Sequence, residues 1–285
     1  MTHGEWSAAQ STTTLSVDGH DLEVAYYEAG RDRAGPPVVF LHGIPTWSFL
    51  WRDVAVALAG TRHVVAPDLL GYGNSAMADG FDRSIRAQEA MVEALLDALG
   101  ADRVSFVAHD IGGGTALRVA SHRPDHVEHL VLSNAACYDS WPVEFINGLG
   151  LPGTTEELAD EETFERKMAF VFDEGLYGDP DEHAEFCTGM RTPWDSEEGR
   201  RSLPRCAVAT NTNHTTELEY ERITADTLLL WGGEDALQTV EYARRLRADI
   251  AGDAELVALG DAYHWVVEDR PDAYREEVLA FLGDG

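Results

Sequence analysis

Residues 107–114 read VAHDIGGG and join an apolar run to a glycine cluster, with a carboxylate at the junction. The apolar run begins at residue 104 and has the composition of a strand that is buried on both faces. Glycines begin two residues after Asp110, and their lack of a side chain lets a new helix pack closely at a sharp turn. The stretch therefore predicts a strand, a tight turn at Asp110 and a helix.

The same alternation of strand and helix continues on both sides of this stretch. Apolar runs typical of buried strands occupy residues 36–43, 62–68, 102–110, 127–136, 227–235 and 254–261. Near the start, residues 13–29 form two alternating runs around Asp18-Gly19, a pattern typical of a β-hairpin. Strands that alternate with helices predict an α/β fold, with a mostly parallel central sheet and helices on both of its faces.

The alternation stops at Tyr138 and resumes only after Ile223. Between them the pattern is helical and irregular, and prolines and glycines interrupt it repeatedly. We expect a helical cap at residues 138–223, inserted into an α/β core made of residues 1–137 and 224–285.

Polar residues follow four of the predicted strands, in the segments HGIP (42–45), HDIGG (109–113), WGGED (231–235) and DAYHW (261–265). In an open parallel sheet, ligands bind at the carboxyl ends of the strands, so these segments are the candidates for a site. Asp110, Asp235 and His264 occur in the chain order of nucleophile, acid and histidine that α/β-hydrolases have. This order makes Asp235 the candidate for the acid; Asn134, after the preceding core strand, has no carboxylate.

On these residues the chain resembles the α/β-hydrolase superfamily, and within it the branch with an aspartate nucleophile, which comprises haloalkane dehalogenases and epoxide hydrolases. The stretch LHGIPTWSFLWR (41–52) is similar to the HGxPTxSxxWR segment of haloalkane dehalogenases, and PDLLGYGNS (67–75) resembles a loop common to the superfamily. The resemblance implies that Asp110 is the nucleophile, His264 the base and Asp235 the carboxylate that orients it. It also implies a small apolar substrate and no metal or organic cofactor.

An aspartate suits displacement at a saturated carbon, because an ionised carboxylate attacks without prior deprotonation and forms an ester with the substrate. His264 would then deprotonate a water that attacks the Asp110 carbonyl carbon. The backbone N–H groups of Ile44 and Ile111 are the expected donors to the oxyanion. Attack on a carboxylic ester would yield an anhydride, so esterase activity is disfavoured. We predict hydrolysis of a carbon–halogen bond to an alcohol and halide.

The chain departs from the dehalogenase pattern at Ile111, where relatives usually carry a tryptophan that binds the halide. An aliphatic side chain donates no hydrogen bond, so Trp141 and Trp194 of the cap are the alternative donors. Epoxide hydrolysis stays open as an alternative; it needs an acid, for which the sequence offers Tyr138, Tyr177 and Tyr220. A third alternative is an interaction protein without catalytic activity, which predicts no cavity beside Asp110.

Acidic residues outnumber basic ones throughout the chain. Its 51 aspartates and glutamates against 21 lysines and arginines give a formal net charge of -30, and Lys167 is its single lysine. At about 1 M salt the Debye length is roughly 3 Å, which screens the resulting repulsion. Because the acids are not confined to one tail, we expect adaptation to high salt rather than an acidic tail or a basic partner. The charge disfavours nucleic acid as a partner.

The three cysteines are widely spaced and form neither a disulfide pattern nor a zinc motif. The N-terminal residues lack the basic and apolar regions of a secretory signal, and the sequence contains no apolar stretch of membrane-spanning length. We therefore expect a soluble, cytoplasmic protein without a membrane partner, and the sequence predicts no particular oligomeric state.

Overall fold

A computed structural model describes residues 1–283 of the chain. Its single sheet has the strand order β1-β2-β4-β3-β5-β6-β7-β8. The strands are β1 (Ser11–Val17), β2 (His20–Ala29), β3 (Val38–Leu41), β4 (Val64–Pro67), β5 (Val104–His109), β6 (Val127–Ser133), β7 (Asp226–Gly232) and β8 (Ala254–Leu259). β2 pairs antiparallel with β1 and with β4, and all the other pairs are parallel. The predicted mostly parallel sheet and the N-terminal hairpin are confirmed.

Helices follow the strands in the predicted rhythm. They are α1 (His3–Ala9), α2 (Arg52–Leu58), α3 (Ile85–Leu99), α4 (Asp110–His122), α5 (Glu144–Leu149), α6 (Thr154–Leu158), α7 (Glu161–Gly175), α8 (Ala184–Arg191), α9 (Glu197–Val208), α10 (Asn213–Thr216), α11 (Val240–Asp249), α12 (Val266–Asp269) and α13 (Pro271–Gly283). In the described part of the chain, no helix has the length and apolar character needed to cross a bilayer.

The short helix α1 was not predicted from the sequence. Its N-terminus is closed by reciprocal hydrogen bonds between Thr2 and Glu5, an arrangement known as a capping box. Its one buried residue, Trp6, stacks on Tyr27 of β2 with ring centroids 4.2 Å apart. A seven-residue helix with a single apolar anchor has too little periodicity to be recognised in a sequence.

The core is centred on the inner strands β3, β4 and β5, whereas β8, at the edge of the sheet, is only partly buried. All residues of β3, β4 and β5 are buried, as expected when helices cover both sides of a parallel sheet. Phe106 of β5 is fully buried, and its replacement by alanine would cost about 3–5 kcal/mol of stability. This packing makes the carboxyl ends of β3 and β5 a rigid base for the loops that follow them.

Between β6 and β7 the described chain contains only helices and turns, in the segment for which the sequence predicts a cap. An ion pair joins this segment to the core. Arg118 of α4, which is buried, pairs with Glu89 of α3 and with Glu217 just beyond α10, each with an N–O distance of 2.6 Å. We keep the division into a core and a cap of residues 138–223 as a proposal.

Candidate active site

Asp110 lies at the sharp turn between β5 and α4. Its φ is +51°, in the left-handed region that costs a non-glycine residue about 1–3 kcal/mol. Neighbouring glycines leave room for the turn. A Cβ on Gly43 would lie 2.5 Å from the Asp110 Cβ, and one on Gly112 would collide with the carbonyl oxygens of residues 41 and 42. The strained turn thus directs the Asp110 side chain towards the carboxyl end of the sheet.

A backbone amide holds the Asp110 carboxylate. The Ile44 N–H donates to Oδ1 at 2.9 Å. Burial raises the pKa of Asp110 above its ordinary value, while the His264 charge and the backbone amides of Ile44 and Ile111 act in the opposite direction. The Ile44 amide is therefore placed to stabilise negative charge on this group, and Ile111 stays a predicted donor.

His264 lies between the two carboxylates. Its Nδ1 is 2.9 Å from Oδ2 of Asp235, and its Nε2 is 3.8 Å from Oδ2 of Asp110. Burial lowers the pKa of His264, but the charges of Asp235 and Asp110 and the hydrogen bond that His264 donates to Asp235 raise it above its ordinary value overall. The bond to Asp235 fixes the ring, and Nε2 remains available to take a proton near Asp110.

Asp235 itself is held as a carboxylate. Burial raises its pKa, but the His264 charge and hydrogen bonds from His264, Asn134 and the Leu237 N–H lower it below the ordinary value overall. Asn134 was not predicted as a site residue. Its Nδ2 donates to Oδ2 of Asp235 at 2.6 Å, and its Oδ1 accepts from the Gly232 N–H at 3.0 Å. Its position at the carboxyl end of β6 is the signal that could have identified it.

An apolar cavity of about 160 Å³ adjoins Asp110 and His264. Its other lining residues come mostly from the helical segment between β6 and β7 and from the loop after β7. They are Ile44, Pro45, Trp141, Val143, Phe145, Ile146, Phe170, Val171, Glu174, Gly175, Leu237, Gln238 and Trp265. An enclosed apolar pocket with a few polar groups is typical of a site for a small organic ligand.

The two tryptophans named as halide donors occupy different surroundings. Trp141 lines the cavity, and its indole Nε1 is buried without a hydrogen-bond partner. Trp194 is not among the lining residues, and its Nε1 donates to the carbonyl oxygen of Pro45 at 3.2 Å. Trp141 has a free donor for an anion in the cavity, whereas the donor of Trp194 is already used.

The three tyrosines named as possible acids are all engaged elsewhere. The hydroxyl groups of Tyr138 and Tyr177 donate to Asp249 and Asp261, at 2.8 and 3.0 Å. The hydroxyl group of Tyr220 donates to the carbonyl oxygen of Thr215 at 2.8 Å. No tyrosine in residues 1–283 lines the cavity. The cavity therefore lacks the phenol groups that would protonate an opening epoxide.

A further histidine near the site, His42, has structural contacts. His42 bonds through Nδ1 to the Gly43 carbonyl oxygen at 2.8 Å and accepts from the Leu69 N–H through Nε2 at 2.9 Å. Burial lowers the pKa of His42 to about 3, so its ring is neutral and shapes the loop that carries Ile44.

No group of three metal-ligating side chains occurs within the described residues.

Comparison with known proteins adds a consistent result. A family model described as alpha/beta hydrolase fold matches residues 36–271. Haloalkane dehalogenase 2 of Mycobacterium tuberculosis (strain ATCC 25618 / H37Rv) is 30% identical over 281 residues, covering 93% of this chain and 96% of that protein.

Two solved structures are similar in fold. A haloalkane dehalogenase from Bradyrhizobium elkani USDA94 superposes with a TM-score of 0.77 at 26% identity, covering 96% of this chain and 98% of that one. An alpha/beta hydrolase fold protein from Burkholderia ambifaria superposes with a TM-score of 0.81 at 26% identity, covering 94% of this chain and 97% of that one. The similarity extends over nearly the whole of each chain.

Proposed function

The chain belongs to the alpha/beta hydrolase fold family, and from this premise we propose that it is a haloalkane dehalogenase-like hydrolase. The observation that carries the proposal is the contact set of Asp110. A buried carboxylate on a strained turn accepts a bond from the Ile44 amide, adjoins an apolar cavity and lies 3.8 Å from His264. The similarity to haloalkane dehalogenase 2 of Mycobacterium tuberculosis supports the same activity.

In the first step, an Asp110 oxygen attacks the halogen-bearing carbon, the carbon–halogen bond breaks and the halide leaves with the bonding electrons. The product is an alkyl ester of Asp110. A carboxylate performs this displacement without a base, so His264 is not needed until the ester has formed. The apolar lining of the cavity leaves few polar groups to solvate the Asp110 carboxylate, which favours its attack.

In the second step, His264 takes a proton from water through Nε2, and the resulting hydroxide attacks the carbonyl carbon of the ester. The tetrahedral oxyanion is stabilised by the Ile44 and Ile111 amides. Asp235 stabilises the imidazolium and holds its orientation through Nδ1. As the intermediate collapses, the bond between the carbonyl carbon and the alkyl oxygen breaks, and the His264 imidazolium returns its proton to that oxygen, which releases the alcohol. The second proton of the water leaves to solvent, and the Asp110 carboxylate is restored.

The departing halide needs a donor other than residue 111, which is isoleucine. We propose the indole Nε1 of Trp141 as this donor. Trp141 lines the cavity, and its Nε1 has no hydrogen-bond partner in the protein. A buried donor without a partner costs about 1–3 kcal/mol, and an anion in the cavity would remove that cost. Trp194 is not part of this proposal, since Pro45 accepts its N–H.

The alternatives receive less support. Epoxide hydrolysis lacks a phenol in the cavity, as the hydroxyl groups of Tyr138, Tyr177 and Tyr220 have other acceptors. An interaction protein without activity does not account for an apolar cavity beside Asp110. We propose that the protein works in a salt-rich cytoplasm. High salt would screen its net charge of -30, and a reducing compartment would keep its three cysteines free.

The test is an assay of bromide release from bromobutane beside diol formation from styrene oxide, both in molar KCl. We expect bromide release by the wild type and none by Asp110→Ala, which lacks the nucleophile. Diol formation without bromide release from any haloalkane would contradict the proposal.

A further inference from the structure

Two glutamines of this protein are fully buried, and their amides differ in hydrogen bonding. The Gln88 Oε1 accepts from the Leu70 N–H at 2.9 Å, and its Nε2 donates to the carbonyl oxygens of Leu70 and Arg83. The Gln238 Nε2 donates to the Ser140 carbonyl oxygen at 3.4 Å, and its Oε1 has no partner. Gln88 is satisfied by the protein, whereas Gln238 leaves an acceptor unused.

Gln238 lines the cavity beside Asp110. Its backbone is held in place because the Trp231 Nε1 donates to the Gln238 carbonyl oxygen at 2.6 Å. The weak bond to Ser140 anchors the nitrogen side of the amide next to Trp141, another lining residue. Gln238 therefore belongs to the cavity wall, and its amide has a fixed attachment at Ser140.

An amide oxygen without a partner in an apolar wall is unfavourable, because burial removes its bond to water. A halide cannot relieve this cost, since both groups are hydrogen-bond acceptors. A hydroxyl group on the substrate can, because its O–H donates to the Oε1. The halogen of the substrate would thus contact the halide donor, and a hydroxyl group elsewhere on the same substrate would contact the Gln238 Oε1.

We propose that Gln238 is a specificity-determining residue that accepts a hydrogen bond from a substrate hydroxyl group, so that the favoured substrates are haloalcohols. This inference rests on the proposed dehalogenase function. It adds to that function a polar contact on the carbon skeleton of the substrate. A site that bonds a substrate hydroxyl discriminates against the analogue that lacks it, because the buried acceptor is then unpaired.

The experiment measures kcat/KM for bromide release from bromoethanol, bromopropanol and bromobutanol, each with a terminal hydroxyl group. Each bromoalcohol is compared with the bromoalkane in which a methyl group replaces the hydroxyl. The readout is the kcat/KM for each bromoalcohol divided by that for its bromoalkane, measured in the wild type, Gln238→Met and Gln238→Leu. We expect both variants to lower this ratio about tenfold for at least one chain length, the effect of one lost hydrogen bond.

Gln88→Met is the matched control, because it also removes a buried amide but lies outside the cavity wall. It should leave the ratio unchanged and lower the Tm, since it loses satisfied hydrogen bonds. Gln238→Met should keep or raise the Tm, because the Oε1 that it removes has no partner. A purely structural role for Gln238 would lower the Tm instead.

An unchanged ratio in both Gln238 variants at every chain length, with bromoalkane turnover retained, would overturn this inference alone. Absence of bromide release from every substrate in the wild type would instead contradict the proposed function on which the inference rests.

Discussion

Asn134 donates a hydrogen bond of 2.6 Å to the same Asp235 oxygen that His264 contacts at 2.9 Å. The Asn134 amide therefore binds one lone pair of the Asp235 Oδ2, and the His264 imidazole binds the other. The Asn134 backbone has a φ of +43°, which asparagine tolerates better than most residues. Asn134 acts on the reaction through Asp235, as a positioning residue.

Asn134→Asp keeps the shape of the side chain and replaces its donor by a second carboxylate. Two carboxylates in contact share one proton, so Asp235 would carry less negative charge with which to stabilise the imidazolium of His264. We expect the hydrolysis of the alkyl ester to slow by about tenfold to a hundredfold, the value of one hydrogen bond to a charged group. Rapid-mixing kinetics should show a burst of one bromide per enzyme before slow turnover. A wild-type kcat would contradict this role.

Trp141→Phe tests the proposed halide donor. Phenylalanine keeps an aromatic ring in the cavity and removes the N–H, so bromide release should fall by about tenfold to a hundredfold. Trp194→Phe is the matched control, because the N–H of Trp194 is bound to Pro45 and Trp194 is not a lining residue. Equal rates of bromide release in the two variants would mean that Trp141 does not bind the halide.

The pKa of His264 should depend on the charge of Asp110. Asp235 and Asp110 both raise it, and ester formation neutralises Asp110. The histidine of the ester intermediate therefore titrates at lower pH than that of the free enzyme, which favours the neutral form that acts as a base. Asp110→Asn imitates this neutralisation. NMR titration of the histidine rings should give a lower pKa for His264 in this variant than in the wild type, and an equal or higher pKa would contradict the account.

The fold and the three central residues were accessible from the sequence for one physical reason. In a parallel sheet the carboxyl ends of the strands lie at one edge, so residues that follow different strands meet there. Asp110, Asp235 and His264 are brought together by this rule. Ile44, which follows β3, reaches Asp110 for the same reason.

For the helical segment between β6 and β7, no comparable rule predicts which residues reach the site. Which residues of a short helix face a cavity depends on packing against the core, and periodicity does not reveal the bonds of a single side chain. Trp141 and Trp194 were equivalent in the sequence, but only Trp194 has a carbonyl acceptor, at Pro45. Asn134 and Gln238 follow β6 and β7, so their positions in the sequence place them near the site, but only their hydrogen bonding indicates what they do there.

The acidic composition predicts a dependence on salt. With a net charge of -30 and one lysine, the folded chain repels itself in dilute buffer, and screening at high ionic strength removes this cost. Thermal unfolding followed by circular dichroism should give a Tm that rises as KCl increases towards molar concentration, and bromide release should rise in parallel. A flat or falling Tm would reopen the interpretation that the acids bind a basic partner.

The central claim is that Asp110 forms a covalent ester which His264 helps to hydrolyse. His264→Phe removes the base of the second step and leaves the first step intact, so incubation with bromobutane should trap a butyl group on the enzyme. Mass spectrometry should find the added mass on the peptide that contains Asp110, with one bromide released per enzyme, and no addition in the Asp110→Ala, His264→Phe double variant. An unmodified peptide, in a folded His264→Phe variant that binds the substrate, would contradict the two-step mechanism.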